Sequence, residues 1–334
     1  MLSMATCSSR WVLKQSLIVG FLFVIIISSI QPVNGCFTSI FSFGDSLTDT
    51  GNLLEISLLE SNKLPPSAFP PNGRTFFHHP SGRRCDGRLV IDFLAEALGI
   101  PFLQPSYTTK VGRLQKFQKG MNFAVAGATA LNSSFLQENG IYNRSTNISL
   151  GDELNSFKHL LPSLCSSSAD CKKLLRNSLI VMGVIGGNDY NHAFREKNNE
   201  AARKFVPLDV QTIASAIHFS QHHNEFLRSE LEKLRNHHPD INIVYADYYN
   251  TVMRFYHSPK QFGFKETLKA CCGIGGLYNY NTSRSCGYPP LKSSCTDPSS
   301  YISWDGIHYT EAANKWLANV VFEDLMKSIN CVPH

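Results

Sequence analysis

The sequence predicts one α/β domain over residues 36–334, in which helices cover both faces of a parallel sheet in three layers. Two observations favour this fold class. Short apolar runs alternate along the chain with longer segments whose apolar residues recur at helical spacing, which is the strand–helix order of α/β proteins. The short runs are also continuously apolar, as in strands that are buried on both faces. Because ligands bind at the carboxyl ends of such strands, functional residues are expected there.

The predicted strands are four short apolar runs, each followed by a glycine or a polar residue. They are Ile40–Phe43, Asn122–Ala126, Leu179–Ile185 and Ile241–Tyr245. Just past three of these predicted strand ends stand Ser46, Gly127 and Asn188.

The predicted helices are segments with apolar residues on one face. Leu89–Leu98 is followed by Gly99 and Pro101, both of which are typical of helix ends. Thr310–Met326 has the acidic Glu311 in its first turn, where negative charge is favourable. A longer helical stretch between the last two strands has polar residues at 221–224 and an apolar stripe formed by Ile213, Ile217, Phe219, Leu227, Leu231 and Leu234.

The first 35 residues have the layout of a secretory signal peptide. Arg10 and Lys14 precede an apolar run at 16–30, and small residues before Gly35 offer a cleavage site. The alternative is an uncleaved anchor, but a spanning helix needs roughly 20 apolar residues and this run is shorter. We therefore expect cleavage near Gly35 and no membrane attachment afterwards.

Composition and charge argue against a disordered protein and against a nucleic-acid-binding protein. The chain has 334 residues, of which 43% are hydrophobic and 17% charged, an ordinary globular balance. Its net charge of +5 falls to +3 when Arg10 and Lys14 are removed, so a nucleic-acid partner is not expected. Histidine pairs at 222–223 and 237–238 lack a carboxylate or cysteine at ligand spacing, and no metal site is expected. We expect a monomer.

Cysteines and glycosylation sequons both fit passage through the secretory pathway. Cys7 lies in the leader, and the remaining nine cysteines leave at least one thiol free or paired between chains. Cys165 and Cys171 can close a small loop, and no C-x-x-C spacing indicates zinc. A Gly/Ser/Asn/Pro-rich segment holds Cys271, Cys272, Cys286 and Cys295. The sequons begin at Asn132, Asn143, Asn147 and Asn281.

Four short blocks contain what an activated serine needs. A serine hydroxyl becomes a good nucleophile when a base takes its proton and a third group orients that base, and the oxyanion that forms needs donors. The blocks are FGDSLTDTGN at 43–52, NFAVAGA at 122–128, GGNDY at 186–190 and WDGIH at 304–308. Taken alone, each block has an ordinary interpretation. In the same order, these are a serine that caps a helix, a turn glycine, a Gly-Asn turn and an Asp-x-x-His that arises by chance.

Together, and in this order, the four blocks resemble the GDSL family of SGNH hydrolases, and its plant branch in particular. Two further segments, GRRCDGRLVIDF at 82–93 and NIVYADYY at 242–249, are similar to the sinapine-esterase and acetylajmalan-esterase group. The resemblance extends over nearly all of residues 36–320. It implies a flavodoxin-like SGNH hydrolase fold with a parallel sheet.

The resemblance also implies a role for each site residue. Ser46 is the nucleophile, His308 acts as base and then acid, and Asp305 orients His308. The backbone N–H groups of Ser46 and Gly127 and the side-chain amide of Asn188 form the oxyanion hole. No cofactor is implied. The implied activity is hydrolysis of a carboxylic ester of a small acylated plant metabolite, an acetylated alkaloid or a phenolic ester, in the extracellular space (apoplast) or the vacuole.

Two alternatives remain open from the sequence. An acyltransferase would use the same triad with an alcohol in place of water. A secreted, non-catalytic binding protein would keep the fold without the reaction.

The chain departs from the family pattern at two places. An extra arginine moves Cys85 one position along, which leaves its partner open. A segment that carries a strand and a helix is missing near Ile217, so the sheet is expected to be one strand short. The loss would either leave an open slot in the sheet or let the Ile241–Tyr245 strand move beside the Leu179–Ile185 strand. In the second case the Asp305–His308 turn would shift by about 4.8 Å. We expect such a chain to be less stable and less active than a full-length relative.

Overall fold

The computed structural model describes residues 37–60, 63–107, 117, 119–143, 145–197, 227–239, 241–276, 278–281, 286–288 and 294–328. The predicted leader, residues 1–35, lies outside the described residues, as do Ile213, Ile217 and Phe219 of the predicted apolar stripe. No helix among the described residues is both long and apolar enough to cross a membrane.

The elements follow the predicted strand–helix order, which confirms the α/β class with a parallel sheet. The strands are β1 (Ser39–Phe43), β2 (Gly120–Asn122), β3 (Ser178–Met182), β4 (Glu266–Ala270) and β5 (Tyr301–Ser303). The helices are α1 (Asn52–Glu60), α2 (Val90–Ala97), α3 (Ser133–Glu138), α4 (Leu150–Leu164), α5 (Ser168–Arg176), α6 (Gly187–Lys197), α7 (227–237), α8 (Tyr248–His257) and α9 (Glu311–Ser328).

Three parallel strands in the order β2-β1-β3 form the sheet that positions the site. Ser42 of β1 lies opposite Asn122 of β2 and Val181 of β3, so the three strands end at one edge. β1 is buried along its whole length. Its Phe41 and Phe43 rings contact Phe157 of α4 at centroid distances of 5.1 and 5.6 Å, because α4 covers that face of the sheet.

The carboxyl-terminal part is built on a second parallel sheet, formed by β4 and β5. Helix α9 packs against α2, and the two helices share an apolar core with Ile302 of β5. Arg88, two residues before α2, pairs with Glu311 at the start of α9 at 2.7 Å. The indole N–H of Trp304, just past β5, donates to Oδ1 of Asn72 at 2.9 Å. The turn that follows β5 is therefore anchored on residues 72–97.

The predicted fourth strand, Ile241–Tyr245, is wrong. Residues 241–247 form no strand, and Ile241 is 53% exposed. A strand is stable only where a neighbour satisfies its backbone N–H and C=O groups, and within the described residues β3 pairs with β1 alone. The predicted pairing of this segment with the Leu179–Ile185 strand is therefore absent, and so is the shift that it would cause.

One face of β3 is exposed within the described part of the chain, although the sequence predicted burial on both faces. Ile180 and Met182 are 44% and 50% exposed. The sequence predicted that an apolar stripe including Leu227 and Leu234 would cover the sheet. Both side chains lie on α7 and are themselves exposed, so they do not cover this face.

Other predicted boundaries shift by a few residues. β2 ends at Asn122 and β3 at Met182, so the predicted ends at Ala126 and Ile185 lie too far along the chain. Residues 123–126 are buried without belonging to a strand. Apolar character reports burial, and burial alone does not distinguish a strand from a buried loop.

Three disulfides connect cysteines of the described residues. Cys165 bonds to Cys171, closing the small loop that the sequence predicts. In the four-cysteine cluster, whose pairing the sequence left open, Cys271 bonds to Cys295 and Cys272 to Cys286. Cys85 is a buried free thiol.

Candidate active site

Ser46 lies on a tight turn at the carboxyl end of β1. Gly44 has a φ of +136°, in the region that favours glycine, and a Cβ there would lie 3.0 Å from the carbonyl oxygen of Val184. The N–H of Asp45 donates to that same carbonyl at 3.0 Å. The turn is thus held against the segment after β3, with the Ser46 side chain half-buried at the sheet edge.

The turn after β5 brings an imidazole to this serine. Nε2 of His308 lies 2.8 Å from Oγ of Ser46. Nδ1 of the same ring lies 2.7 and 2.9 Å from the two carboxylate oxygens of Asp305. Because a carboxylate can only accept, Nδ1 carries the proton and Nε2 is free to accept from the serine hydroxyl. The structure therefore brings together all three residues predicted for the triad.

The Asp305 carboxylate is arranged to remain ionised. Burial alone would raise its pKa, but the charge of His308, hydrogen bonds from His308 and the charge of Arg84 outweigh burial and hold the pKa well below its usual range. The backbone N–H of His308 donates to Oδ1 of Asp305 at 2.8 Å, which fixes the carboxylate relative to the ring. A permanently charged acceptor stabilises the imidazolium that forms when His308 takes a proton.

Two backbone donors at the sheet edge are unused. Neither the N–H of Ser46 nor that of Gly127 donates a hydrogen bond within the part of the chain that the structure describes. Gly127 has a φ of +91°, and a Cβ at this position would lie 2.7 Å from Cβ of Ser145. Unpaired N–H groups beside a reactive hydroxyl are what an oxyanion hole requires.

Asn188 lies beside the Gly127 loop, in the first turn of α6. Its side-chain amide donates to the carbonyl oxygen of Ala128 at 3.0 Å, which uses one of its two N–H bonds. The neighbouring Asp189 accepts from the backbone N–H groups of Ala130 and Leu131 at 2.9 and 3.0 Å. These contacts tie the start of α6 to the loop that carries Gly127.

The four sequons differ in exposure. Asn132, Asn147 and Asn281 are exposed. Asn143 is half-buried, and its side-chain amide donates to the carbonyl oxygen of Gly127 at 2.7 Å.

Two buried carboxyl groups beneath the turns were not singled out in the sequence. Asp49 accepts from the N–H of Ala126 at 2.8 Å and from N–H groups at the start of α1. Glu153 of α4 accepts from the N–H groups of Gly44 and Val125. Asp49 stands in the FGDSLTDTGN block and could have been found there. Glu153 lies on a helix with no motif around it, so no sequence signal marked it.

Burial strongly perturbs the carboxyl groups of this region. It raises the pKa of Glu153 to about 8, against the opposing effect of its two backbone hydrogen bonds and with help from the charges of Asp49 and Asp45. It raises the pKa of Asp45 to about 7, with smaller contributions from Asp189 and Asp49. Of Asp45, Glu153 and Asp305, Asp305 is the one whose pKa is lowered, because it is paired with His308.

A cavity of about 340 Å³ borders His308. Its walls include the side chains of β4 and β5 and four tyrosines, Tyr256, Tyr278, Tyr280 and Tyr309. Tyr280 also packs over Gly306, where a Cβ would overlap its ring. Its aromatic walls suit it to hold an apolar or aromatic group beside His308.

Comparison with known proteins identifies the family. A family model described as GDSL-like Lipase/Acylhydrolase matches residues 40–219 and 218–321. The chain is 47% identical to GDSL esterase/lipase At2g27360 of Arabidopsis thaliana, over 90% of this chain and 87% of the relative. It is 45% identical to GDSL esterase/lipase At1g28600 of the same plant, over 89% of this chain and 86% of the relative.

The same comparisons show a segment that the relatives have and this chain lacks. The alignment with At1g28600 has 348 positions, more than the 334 residues of the whole chain. Since 89% of 334 is about 297 residues, about 50 of the 348 positions are empty in this chain. The two stretches matched by the family model meet at residues 218–219, beside the predicted break at Ile217.

Proposed function

Because this chain belongs to the GDSL-like lipase/acylhydrolase family and is therefore a carboxylic-ester hydrolase, we propose that it hydrolyses an ester of a small acylated plant metabolite through an acyl-enzyme on Ser46. One observation carries the proposal most directly. The Ser46 hydroxyl, the His308 imidazole and the Asp305 carboxylate form a continuous hydrogen-bonded chain, with contacts of 2.8 and 2.7 Å.

In the first half of the reaction, Oγ of Ser46 attacks the carbonyl carbon of the ester while Nε2 of His308 takes the hydroxyl proton. The negative charge that develops on the carbonyl oxygen is stabilised by the N–H groups of Ser46 and Gly127 and by the free amide N–H of Asn188. His308 then gives its proton to the leaving alkoxide as the C–O bond breaks. Asp305 holds the ring in the required tautomer throughout.

In the second half, water replaces the alcohol. Nε2 of His308 takes a proton from the water as its oxygen attacks the acyl carbon, and then returns a proton to Oγ of Ser46 as the acyl–serine bond breaks. The products are a carboxylic acid and an alcohol, and the enzyme is regenerated without any other reactant.

The cavity beside His308 supports an aromatic substrate. Three of its tyrosines, Tyr256, Tyr278 and Tyr280, present exposed rings. Such rings favour stacked or edge-to-face contact with an aromatic group of the substrate. Phenolic esters and acetylated alkaloids both carry a ring next to the ester, and either class would match the predicted likeness to the sinapine-esterase and acetylajmalan-esterase group.

We extend the proposal to the route of the protein through the cell. Exposed asparagines in three of the four sequons, the disulfides and the predicted leader support entry into the secretory pathway, with the extracellular space or the vacuole as destination. Treatment of plant-expressed protein with a glycosidase is expected to lower its mass by at least one glycan. Protein that already runs at its bare polypeptide mass would contradict this route.

The activity itself is tested with the purified mature chain on a panel of phenolic, alkaloid and simple alkyl acetates. Ser46→Ala serves as the matched control, since it removes one oxygen atom and leaves the surrounding hydrogen bonds of the backbone in place. Turnover by the native chain and none by Ser46→Ala is the expected result. No hydrolysis of any ester, together with no labelling of Ser46 by a fluorophosphonate, would contradict the proposal and favour a non-catalytic binding protein.

A further inference from the structure

We infer that Glu153 is a positioning residue that fixes the nucleophile turn and the oxyanion loop relative to each other. The inference rests on the proposed function, because it concerns the donors of the same site. Oε2 of Glu153 accepts from the N–H of Gly44 at 2.9 Å, and Oε1 accepts from the N–H of Val125 at 3.1 Å.

The positions of these two donors in the chain are informative. Gly44 stands two residues before Ser46, and Val125 stands two residues before Gly127. One carboxyl group therefore holds both segments that end in a backbone oxyanion donor. A change in its position would alter the distance between the N–H groups of Ser46 and Gly127.

The backbone alone is poorly suited to this task, because β2 has already ended. The β1–β2 ladder stops at the pair Ser42 and Asn122. Beyond it, Val125 donates to the carbonyl oxygen of Gly44 at 3.1 Å, and it shares that N–H with Glu153. The N–H of Gly44 has Glu153 as its acceptor. The carboxyl group thus adds to the backbone hydrogen bonds at the point where the two chains separate toward the site.

The burial of Glu153 points to a specific role and not to a generic packing one. Its side chain is fully buried, and no lysine or arginine among the described residues pairs with it. Its neighbours on the inner face of α4, Leu154 and Phe157, pack into the aromatic cluster around Phe43. An apolar residue would suit such a face at lower cost, since a buried carboxyl group is unfavourable unless its hydrogen bonds are specific.

Catalysis is sensitive to this geometry. Oxyanion donors act when they are preorganised at about 3 Å from the developing charge, and a misplacement of about 1 Å can cost roughly 10²-fold in rate. Loss of the Glu153 contacts is therefore expected to lower kcat while leaving the cavity that binds the substrate unchanged.

The test is Glu153→Gln, which keeps the shape of the side chain but places an amide N–H₂ against one of the two backbone donors. We expect kcat to fall roughly 10- to 100-fold, with KM changed less than about twofold. The rate of Ser46 labelling by a fluorophosphonate should fall by the same factor as kcat. All rates are normalised to the folded fraction, measured by near-UV circular dichroism.

The matched control is Asp152→Asn, the same chemical change one residue earlier on α4. Asp152 accepts from the N–H and hydroxyl of Ser149 at the start of the helix, and it accepts from neither Gly44 nor Val125. The Asp152→Asn variant is expected to have a lower melting temperature and an unchanged kcat per folded molecule. A kcat loss of equal size in both variants would overturn the inference by making the effect one of helix stability.

A Glu153→Gln variant with wild-type kcat would also overturn the inference while leaving the proposed function intact. If that variant does not fold, Glu153→Asp replaces it, because the shorter side chain keeps the carboxyl group and reaches at most one of the two donors. The same loss in kcat is expected, and an unchanged kcat would overturn the inference. Absence of turnover and of Ser46 labelling in the wild-type chain would instead contradict the proposed function, and the inference with it.

Discussion

Nε2 of His308 lies 2.8 Å from Oγ of Ser46, although 262 positions separate the two residues in the chain. Ser46 is placed by the central sheet, whereas His308 is placed by β5 and α9, which are anchored on residues 72–97 through Trp304 and Glu311. The segment that this chain lacks belongs to neither anchor. This explains how the triad keeps its geometry although the sheet has only three described strands, and why the predicted shift of the Asp305–His308 turn does not occur.

The first prediction concerns the side-chain donor of the oxyanion hole. Asn188→Ala is expected to lower kcat roughly 10²- to 10³-fold, the usual loss for one such donor, with little change in KM. Asn139→Ala is the matched control, since the amide of Asn139 also donates to a backbone carbonyl, that of Phe135, but in an exposed helix end. Steady-state kinetics of both variants checks the prediction, and equal effects on kcat would contradict it.

The second prediction follows from the depressed pKa of Asp305. A carboxyl group whose pKa is lower in the folded state contributes stability above its unfolded pKa and loses that contribution as the pH falls through its folded pKa. Wild-type protein should therefore be more stable than Asp305→Asn at neutral pH, and the difference should shrink as the pH falls below about 4. Urea unfolding of both proteins between pH 3 and 7 measures this, and a difference that does not change with pH would contradict it.

The third prediction concerns the cavity. Tyr280→Ala is expected to raise KM for a phenolic acetate roughly 2- to 10-fold, the loss of one aromatic contact, while KM for ethyl acetate changes little. Tyr142→Ala removes a ring that is also exposed, at 54% against 38% for Tyr280, and that does not line the cavity. It should leave both KM values unchanged. A parallel rise for the aromatic and the simple ester would show that Tyr280 does not select the aromatic group.

The fourth prediction concerns the missing segment. Inserting the corresponding segment of a full-length relative after Ile217 should raise the melting temperature, because a further strand and helix would cover Ile180 and Met182 of β3. Turnover should change little, since the triad already has its hydrogen-bonded geometry. A Gly/Ser insertion of equal length controls for chain length. A large rise in kcat would show that the missing segment also positions the site.

Sequence alone predicted the parts of the site that local geometry determines. Asp305 and His308 meet within one short turn, and Ser46 follows a buried strand at a glycine turn, so short motifs describe both. It did not predict Glu153, because a buried carboxyl on an amphipathic helix is visible only once its backbone donors are placed. It was wrong about Ile241–Tyr245, because an apolar run becomes a strand only when a neighbour pairs with it.

The central claim is that Ser46 and His308 act as one catalytic unit. Its most direct measurement is kcat for Ser46→Ala, His308→Ala and the double variant on one phenolic acetate, with folding checked by circular dichroism. Each single substitution should lower kcat by roughly 10⁴-fold or more, and the double variant should be little worse, because residues that act together lose their contribution together. Multiplicative losses in the double variant, or a Ser46→Ala protein that still turns over the ester, would contradict the account.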